Sequence, residues 1–227
     1  ADTSYLFNEM NHSISYGNAL LSMPLNEDTL YLTADTLVQQ KKTVGNLLKA
    51  YPKANFKSVD MVGFCDSLSY LTKEENLFLN KEPVIWLDQF QLTSDSIRIL
   101  LNKELIKMAF LNKSAFITSE VDSNSFNQIS GENMKAYFHE NELSNIEVIG
   151  NGESIYYVEE ELKSEAVGVN KIICSNMNII INNRQIENIN FYKEPDAILY
   201  PLSQIDQNEL LLKGFKWVNK SDIENII

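Results

Sequence analysis

A strand-turn-strand pattern that returns four times constrains this chain more than any other feature. The four segments begin at Leu68, Ile97, Met134 and Met177, so their starts are 29, 37 and 43 residues apart. A short polar stretch precedes each start, and an aliphatic residue stands nine places after it (Leu77, Ile106, Leu143 and Ile186). A unit that recurs with insertions at its turns is typical of a protein built from one repeated supersecondary element.

Each unit shows the alternation of a half-buried β-strand. In the third unit, apolar Met134, Ala136 and Phe138 alternate with more polar neighbours, and the turn formers of residues 139–142 follow. A period of two places one face of a strand in the core, and the polar cluster predicts a hairpin turn. Units that bury only one face must pack against their neighbours, which favours a sandwich, a jelly roll or a β-solenoid over separate domains.

The domain organisation follows from where this alternation holds. We predict one continuous β body over residues 1–202 and a C-terminal tail with a short helix over residues 203–227, because the alternation is lost after Pro201. An irregular insertion near 41–57 interrupts the pattern. Leu47, Leu48 and Tyr51 have helical spacing there, which predicts a short helix.

Charge and composition limit the partners. The net charge is −12, with 31 acidic against 19 basic residues, so the field of the protein repels a phosphate backbone and nucleic acid is not expected as a partner. The chain begins at Ala1 with no methionine, which fits either a removed signal peptide or a start inside a longer protein. Cys65 and Cys174 are too few for a disulfide scaffold and are expected to be buried small side chains.

The sequence carries none of the common catalytic templates, such as H-E-x-x-H, G-x-S-x-G or a P-loop. His139 falls in a predicted turn, where a solvated side chain is expected. The aspartates Asp35, Asp66 and Asp95 recur at strand entries, which indicates turn hydrogen bonding more than a calcium site. We therefore expect no enzyme activity, no metal and no cofactor. A carboxylate pair for glycoside hydrolysis remains an alternative, since such acids can come from any part of a chain.

Four stretches taken together resemble a known family: residues 30–37 (LYLTADTL), 126–134 (FNQISGENM), 149–157 (IGNGESIYY) and 195–202 (PDAILYPL). In this order they are similar to the OstA/LptA-like family of periplasmic lipopolysaccharide-transport proteins, in the form of the OstA-like proteins of Bacteroidetes. The resemblance implies a twisted, V-shaped β jelly roll without catalytic residues, located in the periplasm. It also implies a groove for the acyl chains of lipid A and head-to-tail assembly with itself or other transport components through strand edges.

The residues expected to face the interior are the candidate lipid-binding set. They would fill an ordinary core equally well, and the resemblance is what favours a lipid groove. The set is Ile97, Ile99, Leu101, Ile106, Phe116, Met134, Ala136, Phe138, Ile146, Val148, Ile155, Tyr157, Met177, Ile179, Ile181, Ile189 and Phe191.

Two further expectations accompany this set. The segment from Leu30 to Leu37 carries few blocking charges, which predicts that it is the docking strand at the N-terminal edge. The alternatives to lipid transport are a repeat-built β adhesin or scaffold with a closed core and, less favoured, a carbohydrate-active jelly-roll enzyme.

Overall fold

A computed structural model describes residues 1–7, 11–24, 28–103, 105–159, 166–182 and 185–224. In these residues the chain forms seventeen strands that belong to one hydrogen-bonded sheet, and each strand pairing is antiparallel. The all-β prediction is confirmed.

The strands fall into short ones and six long ones. Their bounds are β1 Thr3–Phe7, β2 His12–Pro24, β3 Thr29–Lys41, β4 Asn46–Tyr51, β5 Ala54–Lys57, β6 Met61–Cys65, β7 Ser67–Leu71, β8 Asn76–Asn80, β9 Val84–Leu87, β10 Phe90–Thr93, β11 Ser96–Asn102, β12 Leu105–Asp122, β13 Ser125–His139, β14 Glu142–Glu159, β15 Ala166–Asn182, β16 Gln185–Tyr192 and β17 Asp196–Pro201. Two 3-10 turns (Leu202–Gln204 and Gln207–Leu210) and the helix α1 (Lys220–Glu224) follow.

The sheet is folded across its strands into two layers. The long strands run through both layers, and β3, β12 and β15 each pair with a different neighbour on either side of the bend. For example, residues 105–112 of β12 pair with β11, and residues 116–119 pair with β10. The upper layer has the order β1, β2, β3, β4, β7, β8, β11, β12, β13, β14, β15, β16, and the lower layer has the order β2, β3, β5, β6, β9, β10, β12, β13, β14, β15, β17. Apolar side chains of both layers meet in one core cluster, which makes the fold jelly-roll-like.

Two kinds of corner join the layers, and they differ by one residue. From the upper to the lower layer, successive inward residues lie four apart, as Leu111 and Ala115 do, and the chain turns through the left-handed pair Lys113 and Ser114 (φ 58° and 49°). From the lower to the upper layer they lie three apart, as Cys174 and Met177 do. Side chains alternate along a strand, so either the odd-numbered or the even-numbered residues face inward. The first corner keeps the same set facing inward, and the second corner exchanges the odd-numbered and even-numbered residues.

The polar stretches that open the repeated units are corners of the second kind. The thiol of Cys65 donates to the carbonyl of Ser67 (3.3 Å), the hydroxyl of Ser94 donates to that of Ser96 (2.8 Å), and the thiol of Cys174 donates to that of Asn176 (3.2 Å). Three of the four units therefore share a small side chain with a donor three residues before the first inward residue of the new strand, and Gly131 occupies this position in the unit that begins at Met134.

Two expectations are wrong. The segment 41–57 forms no helix: β4 and β5 occupy it, and Leu48 and Ala50 face the core in alternation because β4 pairs with β3 and β7. Leu30 to Leu37 is not an edge, since β3 has β2 on one side and β4 and β5 on the other. Paired partners on both sides override the local spacing that suggested otherwise.

Residues 202–224, here called the strap, cross the outer face of the lower layer. Leu212 and Phe215 pack on Phe116 and Ile155, while Ile223 packs against Val84 and its neighbours. The Trp217 ring meets Trp86 edge to face with the centroids 4.7 Å apart. The lower layer is therefore apolar on both faces.

Candidate functional site

The predicted lipid-binding residues separate into two sets. Fourteen of them lie in the cluster between the layers: Ile97, Ile99, Leu101, Ile106, Met134, Ala136, Phe138, Ile146, Val148, Met177, Ile179, Ile181, Ile189 and Phe191. The other three, Phe116, Ile155 and Tyr157, form a separate cluster with Val169 and Leu212 beneath the strap. The structure does not bring these three to the interior.

The alternation explains the error. Val148 faces inward, and the corner that follows it is of the first kind, which keeps even-numbered residues inward. Gly152 and Ser154 therefore face the interior, and Ile155 and Tyr157 face outward. Ser154 is buried with its hydroxyl unpaired, which places a polar group on the inner face where Ile155 was expected.

Most of the interior set is sealed by its own packing. Ile99, Ala136, Ile146 and Ile179 are 0% exposed, and Met134 is 1% exposed. These upper-layer side chains belong to one cluster with apolar residues of the lower layer, as expected of a close-packed core. Two members of the predicted set, Leu101 and Ile106, line an open space between the tips of the two layers.

That open space is a cleft of about 400 Å³ at the ends of the strands that lie farthest from the corners. The tips of β2, β3, β5 and β6 form one side, and the tips of β7, β8, β11, β12 and the β13–β14 turn form the other. The lining residues are Met23, Asp28, Leu30, Ser58, Asp60, Met61, Tyr70, Leu77, Leu101, Lys103, Leu105, Ile106 and Asn141. The size falls within the roughly 300–1,000 Å³ that ligand sites usually occupy.

A polar rim surrounds the apolar walls. The amide Nδ2 of Asn141 donates to Oδ2 of Asp60 at 2.6 Å, which joins a turn of the upper layer to a turn of the lower layer. The Oδ1 atom of Asn141 accepts the main-chain N–H of Ile106 at 2.8 Å, so both polar atoms of this side-chain amide have hydrogen-bond partners.

The second aspartate of the rim shapes its own turn. Asp28 accepts the N–H groups of Thr29 (2.6 Å) and Val59 (2.8 Å), and it thereby links the start of β3 to the β5–β6 turn. Lys103 is the one lysine in the part of the lining that the structure describes. Its main-chain N–H donates to the carboxylate of Glu75 at 3.0 Å, which holds the β11–β12 turn against the β7–β8 turn.

Sequence reasoning missed the residues that form most of the apolar wall, namely Met23, Leu30, Met61, Tyr70 and Leu77. The signal that could have found them is the same alternation followed to the end of each strand. The alternation does not show which tips come together, because that depends on the twist of the two layers.

The two cysteines are buried and free. The pKa of the Cys65 thiol is raised to about 12, mainly by burial; a main-chain hydrogen bond from Asn80 lowers it, and the Asp66 carboxylate makes a smaller raising contribution. Burial also raises the pKa of Cys174. Within the part of the chain that the structure describes, His, Cys, Asp and Glu side chains form no group of three that could hold a metal ion.

Comparison with known proteins gives a likeness to solved structures alone. No family model and no curated protein matches the chain. Among solved structures, the chain is similar to LptH of Pseudomonas aeruginosa, described as the LptA-homologous periplasmic component of the lipopolysaccharide transport device. The identity is 10%, the TM-score is 0.40, and the match covers 47% of this chain and 77% of that one. A likeness at this level does not show membership of a family. None of the described helices is long and apolar enough to span a membrane.

Proposed function

We propose that this protein is a non-catalytic lipid-binding module whose cleft takes an acyl chain. The observation that carries the proposal is the open apolar cleft between the layer tips, with walls that include Met23, Leu77 and Leu105. Moving an acyl chain from water into such walls contributes about 0.8 kcal/mol per CH₂ group. Affinity for a lipid chain therefore needs no catalytic or metal-binding residue.

The wider setting that we propose is lipopolysaccharide transport in the periplasm. It rests on the resemblance of four sequence stretches to the OstA/LptA-like family, which implies lipid A acyl chains as ligand. In this setting the chain would bridge other transport components, or copies of itself, from end to end.

The sheet offers strand edges for such a bridge. In the described residues, β17 pairs with β15 alone, and residues 19–24 of β2 pair with β3 alone. Ile198 and Leu199 of β17 are 46% and 64% exposed. Unpaired edges of this kind can accept a strand from another chain.

Native mass spectrometry of the protein purified from cells that make lipopolysaccharide tests the proposed ligand. We expect a lipid mass that survives purification and is released by organic solvent. Bare protein, with the same far-UV circular dichroism, would instead favour the alternative of a repeat-built scaffold, which the sealed interlayer core also suits.

Sedimentation over a wide range of concentrations tests the bridge. We expect association that Leu199→Lys weakens, because a charge on the exposed edge strand opposes pairing. The matched control is Leu211→Lys, at a residue 49% exposed on the strap. Strictly monomeric protein would remove the bridging role and leave lipid binding standing.

A further inference from the structure

The charges on the rim of the cleft point to the head group of its ligand. We infer that the cleft takes a single-chain amphiphile whose head group carries an ammonium group, which is placed against Asp28 and Asp60. This inference rests on one part of the proposed function, namely that an acyl chain fills the cleft. It does not rest on lipid A as the ligand, because the several chains and phosphates of lipid A do not suit this cleft.

The volume of the cleft limits the number of acyl chains that it can hold. Its volume is about 400 Å³, near the lower end of the usual range for ligand sites, and the core behind it is closed by side chains that are about 0–1% exposed, such as Ile99 and Leu111. A lipid with several chains would need the layers to separate, whereas one chain fits the space that exists.

The charged side chains of the rim indicate the charge of the ligand's head group. Two carboxylates, Asp28 and Asp60, and one ammonium group, Lys103, belong to the lining. Both aspartates are fixed by hydrogen bonds to neighbouring turns, but a carboxylate has about four acceptor positions, so each retains capacity for a donor from a ligand.

A head group with several phosphates is disfavoured at this rim. It would meet two carboxylates and a protein of net charge −12, with Lys103 as the single cation among the described lining residues. A zwitterionic head satisfies both signs, because its ammonium can pair with the aspartates while its phosphate faces Lys103. The rim therefore selects an amine-bearing lipid from among lipids with the same chain.

Two single-chain lipids with equal chains isolate the effect: lysophosphatidylethanolamine and lysophosphatidylglycerol differ in whether the head carries an ammonium group. In calorimetric titrations below the critical micelle concentrations, we expect the ethanolamine lipid to bind about five- to tenfold more tightly, since each exposed charge pair contributes a few-fold at most. Added salt should reduce the ratio.

Asp60→Asn is the decisive variant, because its amide oxygen can still accept the hydrogen bond from Asn141 while the charge is lost. We expect the preference to fall about threefold. Asp28→Asn also removes the charge, but it is a less clean variant, because both carboxylate oxygens of Asp28 accept N–H groups and an amide can keep only one of these bonds. Asp35→Asn, at a corner outside the cleft lining, removes an equal charge and should leave the preference unchanged.

The outcomes separate the two levels of the argument. Equal binding of both lipids, tighter binding of the glycerol lipid, or a preference that survives Asp60→Asn would overturn the head-group inference and leave the proposed function intact. Failure of both lipids to bind the wild-type protein would overturn both.

Discussion

The side chain of Gln128 holds the main chain of the strap on both sides of Leu211. Its Oε1 atom accepts the N–H of Leu212 at 2.9 Å, and its Nε2 group donates to the carbonyl of Leu210 at 2.8 Å. Gln91, two strands away, makes the same pair of bonds to Val218 and Lys216. Two buried side-chain amides therefore make the hydrogen bonds to the main chain of the strap that a neighbouring strand makes in a sheet.

Gln128→Leu should destabilise the protein by about 1–3 kcal/mol. The variant leaves a buried N–H and a part-buried carbonyl of the strap without these partners, and an unpaired buried group carries the cost of its desolvation. Urea denaturation followed by tryptophan fluorescence measures the change. Gln39→Leu, at an exposed position of β3, is the control and should stay within about 0.5 kcal/mol. Equal midpoints for the two variants would show that the strap is not held by this amide.

Deleting residues 203–227 should make the protein self-associate more strongly. The deletion uncovers an apolar patch that includes Trp86, Phe116 and Ile155, and patches of this kind drive association. Analytical ultracentrifugation of the full-length and shortened chains over the same concentrations measures the effect. A shortened chain that folds and associates no more than the full-length one would contradict the assigned position of the strap.

Ile179→Asp should destabilise the fold by at least about 3 kcal/mol, whereas Asn178→Asp should change it little. Ile179 is 0% exposed between Ile146 and Ile189 of the adjacent strands, so an aspartate there would place an unpaired charge in the core. Asn178 faces the other side of the sheet. Thermal unfolding of both variants is the measurement, and equal effects would contradict the assigned register of β15.

The different effects expected for Ile179 and Asn178 follow from the alternation of buried and exposed positions, which can be recognised in the sequence alone. Alternation alone identified the hairpins that begin at Leu68, Ile97, Met134 and Met177, because a strand with one buried face has apolar residues at every second position. It failed for residues 41–57, where Leu47, Leu48 and Tyr51 also fit a helical spacing and only pairing with β3 and β7 decides for a strand.

The site was less predictable than the fold. Phe116, Ile155 and Tyr157 read as interior residues because the strap that covers them is distant in the sequence. The cleft depends on which strand tips meet, and that is a property of the folded and twisted sheet. Leu101 and Ile106 were found because they end strands that the repeat already marked.

Stability should fall as the pH rises above 9 towards about 12, and Cys65→Ala should reduce this loss. The folded protein holds the pKa of Cys65 near 12, against 9.0 for an ordinary thiol. A raised pKa means that the folded state retains a proton that the unfolded state releases, so its contribution is fully present below pH 9 and is lost above it. Urea midpoints at pH 7, 9 and 10.5 measure the effect. An identical decline in the wild type and the variant would contradict a buried, protonated thiol.

Binding of a fluorescent single-chain lipid to two matched tryptophan variants tests the central claim most directly. Leu105 lines the cleft and is 39% exposed, so Leu105→Trp fills part of the space without disturbing the core, and Leu211→Trp makes the same change on the strap. We expect the wild type and Leu211→Trp to bind alike and Leu105→Trp to bind at least about tenfold more weakly. Unchanged binding by Leu105→Trp, or no binding by the wild type, would contradict a lipid site between the layer tips.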